Sequence, residues 1–155
     1  MALVAGLLVY WVLGGFIPDA DRNPTGPVRV AAPPESPRAD EICAKLLGGL
    51  PRELAGQRPR PVSSAPHRVV AWGSPAIVLR CGVTKPAALT PTAQLLGIEG
   101  VEWVYARYGK TGVWTTTSLA LYVEVRVPEK YGEKASTAII NPLAAPLKAN
   151  VPPAP

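Results

Sequence analysis

LALYVEVRVP, residues 119–128, decides the fold class. Leu121, Val123, Val125 and Val127 alternate with Ala120, Tyr122, Glu124 and Arg126, the period of two that a half-buried strand requires, and Pro128 closes the run. The same alternation recurs upstream. Residues 67–72 and 76–83 read as strands flanking the turn Gly73-Ser74-Pro75; in the second, Ile77, Leu79, Cys81 and Val83 share one face while Arg80 points to the other. Glu99-Gly100 separates residues 95–98 from 101–105, and the stretch Gly109-Lys110-Thr111-Gly112 separates those from 113–117, the punctuation of a meander.

An apolar sheet face needs a cover. Ser36-Pro37 offers a helix cap with proline at the first helical position, and Ile42, Cys43, Leu46, Leu47 and Leu50 follow at helical spacing until Pro51 stops the run. The pattern predicts a helix over residues 37–50 and a weaker one over 132–140, ending at Asn141-Pro142. The expected fold is α+β, an antiparallel sheet of about four to six strands covered by one or two helices.

Proline sets the boundaries. Of the 19 prolines, six fall within residues 18–37 and five within 142–155, while residues 38–141 hold eight. The domain is therefore expected over 38–141, between a Pro-rich spacer (18–37) and a Pro-rich tail (142–155), and a chain starting near Ala39 is expected to be soluble and folded. Residues 38–141 carry 13 Lys or Arg against 8 Asp or Glu. That basic surface is screened beyond about 8 Å at physiological salt. No zinc-finger, helix-turn-helix or RNP-like pattern accompanies the bases, so no nucleic-acid partner is expected.

Residues 1–17, MALVAGLLVYWVLGGFI, contain no charge and would span about 25 Å as a helix, just short of a hydrocarbon core of about 30 Å. They read as a transmembrane or signal-anchor helix. No basic residue precedes the apolar run, and a start codon upstream would supply one. No small-x-small site follows at the right distance and no lipobox cysteine is present, which favours an uncleaved anchor. The expected location is the cell membrane, single-pass, with the domain on the extracytoplasmic side, or secretion if the segment is cleaved.

The stretches AWGSPAIVLRCGV (71–83), GVEWV (100–104) and LYVEVRVP (121–128), with Cys43 in the preceding helix, carry a likeness. The chain resembles the domain-of-unknown-function family 3515 over most of residues 40–131. The resemblance implies a small actinobacterial protein with one N-terminal apolar segment; no activity is attached to the family, so it bears on architecture and compartment alone. Two positions depart from the family pattern: Ser74 stands where an acidic residue is expected, and Ser118-Leu119 where Gly-Arg is expected. No site built on that carboxylate or guanidinium is carried over.

Candidate chemistry is sparse. His67 is the one histidine and has no matched partner in sequence, and two cysteines with one histidine assemble no zinc set, so no cofactor or metal is expected. Gly48-Gly49 lies near a helix end where the dipole has the wrong sign for an anion. Cys43 and Cys81 lack C-x-x-C spacing and read as a structural disulfide tying the first helix to a central strand, with a reactive pair as the alternative. Trp72, Trp103 and Arg80 form the candidate binding surface; core packing of the indoles, and a cross-strand pair of Arg80 with Glu124, are the competing readings. The leading function is a non-enzymatic, membrane-anchored module that binds an envelope protein or wall polymer. An envelope-acting enzyme and a thiol redox component are the rivals.

Overall fold

Ser36 and Pro37 start a helix as their chemistry predicts. The computed structural model describes residues 25–155, the side chains of 133–136 excepted. In it Ser36 is extended, its hydroxyl accepts from the Ala39 amide (3.3 Å), and Pro37 opens α1 (Pro37–Gly49). Ala39, Cys43 and Leu46, spaced four and three apart, are buried. The apolar segment 1–17, and with it the expected membrane span, lies outside the described residues. Among the described residues no helix is long and apolar enough to cross a membrane.

The sheet is antiparallel throughout and has seven strands, more than expected: β1 (Pro59–Arg60), β2 (Val69–Trp72), β3 (Ile77–Val83), β4 (Leu95–Ile98), β5 (Val101–Tyr108), β6 (Thr111–Thr116) and β7 (Tyr122–Pro128). Their spatial order is β1-β2-β3-β7-β6-β5-β4. The strand missed in sequence is β1, two residues beside prolines, too short for alternation to register. Glu99 and Gly100 both take positive φ (50° and 80°), the two-residue turn whose twist suits a hairpin. β7 starts three residues later than Leu119 because Ser118 and Ala120 bond instead to Ala154 and Pro152.

Alternation gives the sheet two faces. Trp72, Ile77, Leu79, Cys81, Trp103, Val123 and Val125 face the helices and form the main core with Leu46, Ile139, Ile140, Leu143 and Leu147. Leu143 and Leu147 lie beyond the expected boundary at 141. The C-terminal helix, α2 (Gly132–Asn150), does not stop at Asn141 but runs through Pro142 and Pro146, so most of the expected tail is part of the domain. An interior proline costs about 3 kcal/mol or more. Fully burying each of Ile139, Ile140, Leu143 and Leu147 returns about 1.5–3 kcal/mol, which offsets two prolines. A 3-10 turn (Glu129–Tyr131) leads into α2, and the Tyr131 hydroxyl donates to Pro75 O (2.7 Å). Burial pushes that hydroxyl above the usual tyrosine range, which keeps it a donor.

The expected spacer is also structured where it is described. Residues 26–34 form a strap across the outer sheet face: the Val28 amide donates to Pro61 O, the Ser63 amide to Val28 O, and Val28 is buried with Val69, Ala71 and Val78 in a second core. Three arginines hold the strap's carbonyl groups, Arg60 on Gly26 (2.8 Å), Arg80 on Ala31 (3.3 Å) and Arg68 on Pro34 (2.5 Å). Its prolines have no N–H to offer a sheet ladder, so carbonyl groups and side chains make the attachment. The domain thus begins about a dozen residues before the expected boundary at 38.

Cys43 and Cys81 are bonded, with Cα atoms 5.7 Å apart, which fastens α1 to β3 as the sequence predicts. Next to them the β3–β7 register shifts between Cys81 and Val83, and Gly82 takes φ of 77°. A Cβ there would sit 2.5 Å from Arg68 Nη2 and 3.1 Å from Ala39 Cβ. Gly82→Ala is expected to lower stability by about 2–3 kcal/mol, from the left-handed backbone and the crowding together. Gly48→Ala, with nothing within 4 Å of its Cβ, is expected to be neutral or stabilising. Urea denaturation of the two variants checks the contrast.

Candidate functional site

On the outer face the register sets Arg80 directly opposite Glu124, and two residues along β7 Arg126 emerges on the same side. Glu124 is buried, and its Oε1 accepts from Arg80 Nε (2.9 Å), Arg80 Nη2 (2.9 Å) and Arg126 Nε (2.7 Å). One carboxylate therefore answers two guanidinium groups. Arg80 is consumed: its third nitrogen bonds the strap at Ala31, and its side chain is 17% exposed. Arg126 is 45% exposed, and its two terminal nitrogens have no partner among the described residues. They form the open end of a fork that is aimed by its Nε bond.

Two hollows meet at that fork. The connection from β3 to β4 must cross the outer face to reach the far sheet edge, and in crossing it brings Pro86 and Ala88 over β5 and β6. Beneath lies a groove of about 170 Å³ floored by Val104, Ala106, Val113 and Thr115, with exposed Tyr108 on its wall and Glu124 and Arg126 completing its lining. A second hollow of about 200 Å³ runs between Arg126, Arg80 and Val78 of the sheet and Arg29, Val30 and Ala31 of the strap. Arg29 is exposed and without a partner among the described residues. The two hollows share Arg126 and hold three arginines against one carboxylate. Such a surface donates hydrogen bonds and attracts an anion.

The candidate surface expected from sequence divides across the sheet. Trp72 and Trp103 are 1% and 0% exposed on the helix face, so they are core and not ligand platforms, a correction with a simple cause. Alternation fixes that the two indoles share faces with Ile77 and Val101, and that face is the one the helices cover. Arg80 lies on the outer face, in the cross-strand pair with Glu124. Missed in sequence were Arg126, legible as the next outward residue after Glu124, and Arg29, hidden because the spacer carried no packing signal. His67 is exposed on the turn before β2, and no metal-ligating cluster occurs among the described residues.

Residues 2–155 match the family described as Protein of unknown function (DUF3515). The chain belongs to that family. No curated protein and no solved structure matches it. For this DUF3515 chain the outer face is therefore interpreted from its own geometry, and the sulfur atoms from theirs: Cys43 and Cys81 are both 0% exposed, which leaves no sulfur that a thiol partner can attack in line.

Proposed function

We propose that this chain is a membrane-anchored, extracytoplasmic binding module, and that its outer face holds an extended acidic segment of an envelope protein. The observation that carries the reading is the open fork of Arg126 at the junction of two hollows. A carboxylate of the segment takes the fork in bidentate fashion, while apolar side chains fill the groove under Pro86 and Ala88. A wall polymer, polar along its whole length, would leave the floor of Val104, Ala106 and Val113 without use. The Cys43–Cys81 bridge supports the compartment, because such bonds persist outside the reducing cytosol.

A photo-crosslinking residue at Ala88 in the full chain, expressed in native membranes, tests the site. The expected adduct is a peptide containing Asp or Glu, with its yield reduced about tenfold in Arg126→Gln, the scale of one charge-assisted hydrogen bond. An unchanged yield in that variant, or an adduct on polysaccharide, would overturn the reading. Thiol alkylation of the same membranes tests the compartment: two cysteines modified without reductant would place the domain in the cytoplasm.

A further inference from the structure

The first described residues lie at one end of the sheet, and the contacts there define which end it is. Arg60 holds Gly26 O and Gly73 O, joining the start of the strap to the β2–β3 turn. Lys130 and Tyr131 bond Ser74 O and Pro75 O of that turn. The Glu129 amide bonds Lys110 O, and Arg107 pairs with the Glu129 carboxylate (2.6 Å), bringing in the β5–β6 turn. Four bases at this end are exposed, Arg58, Arg107, Lys110 and Lys130, against the acid Glu129. Between them lies a hollow of about 260 Å³ lined by Arg107, Lys110, Val127, Pro128 and half-exposed Tyr105. Cationic groups around an apolar floor, with a tyrosine at the rim, suit the headgroup layer of a bilayer.

Chain length selects the same end. Residues 18–24 are the seven that separate the apolar segment from the described fold, and seven residues reach at most about 25 Å when fully extended. We infer that this end of the domain docks on an anionic lipid surface, with headgroups held by Arg58, Arg107, Lys110 and Lys130. The inference rests on residues 1–17 being the anchor of the proposed function. Asp19, Asp21 and Arg22 in the linker reduce the positive excess by one charge and leave it positive. The hollow at Tyr105 and the groove at Arg126 are lined by different residues.

The test uses the full chain in nanodiscs of phosphatidylcholine alone or with about one third phosphatidylglycerol, and measures amine acylation by mass spectrometry. In anionic discs Lys130 is expected to react at least about fivefold more slowly, relative to exposed Lys85, than in neutral discs. Raising the salt, or substituting Arg58→Glu with Lys110→Glu, should remove that protection. Equal Lys130 rates in both discs would overturn the docking while leaving the anchor intact. A chain that does not copurify with discs at all would overturn the anchor, and the docking with it.

Discussion

A chain that begins at residue 39 is expected to lose about 4–7 kcal/mol of stability relative to one that begins at residue 25, a large share of the total of about 5–15 kcal/mol for a small domain. The truncation removes the whole strap. Val28 no longer covers Val69, Ala71 and Val78, an apolar loss of about 2–3 kcal/mol. Arg68, only 4% exposed, loses its Pro34 acceptor, at a cost of about 1–3 kcal/mol for a buried charged donor. The Ser36 cap of α1 disappears as well, at about 1 kcal/mol. A chain from residue 25 keeps all of these and is expected to melt with the full-length protein. Denaturant unfolding of the two truncated forms decides the matter, and coincident midpoints would show the strap to be idle.

Removing the bridge is expected to have the second largest effect. Cys43 and Cys81 are 38 residues apart, and opening a loop of that size returns about 4 kcal/mol of conformational entropy to the unfolded chain. The double variant Cys43→Ala with Cys81→Ala should therefore melt on the order of 10 °C or more below the oxidised protein. Both residues are 0% exposed in the main core, so the variant also loses some packing, and reductant acting on the native chain isolates the effect of the crosslink. Matching midpoints for reduced and oxidised protein would mean that α1 is held on β3 by packing alone.

These two predictions bear on what could be read without coordinates. Six of the seven strands lay where period-two alternation and turn residues put them, because a covered sheet face imposes that pattern directly on the chain. The cap at Ser36 and the pairing of Cys43 with Cys81 are equally local in their chemistry. The strap and the second half of α2 were hidden for a shared reason. Proline signals the loss of a backbone donor, yet Gly26, Ala31 and Pro34 are held through carbonyl groups, and Pro142 and Pro146 are carried by the burial of their neighbours. Of the candidate site, Arg80 was legible from alternation, with its Glu124 pair as one of two readings until register decided it, whereas Arg29 depends on where the strap lands. The exposure of Trp72 and Trp103 could not be read from alternation alone, which says that they share a face but not which face is covered.

The place of α2 in the core governs when this protein can fold. Ile139, Ile140, Leu143, Leu147 and Val151 are all buried, and residues 152–154 bond to the segment just before β7. The part of the inner face that α1 does not cover stays bare until residues 139–151 have been synthesised. A domain whose early residues could settle by themselves would do so while its C-terminus was still being made. Here α2 completes the core, so α1 and the sheet remain an unfinished pair of layers until residues 139–151 are present.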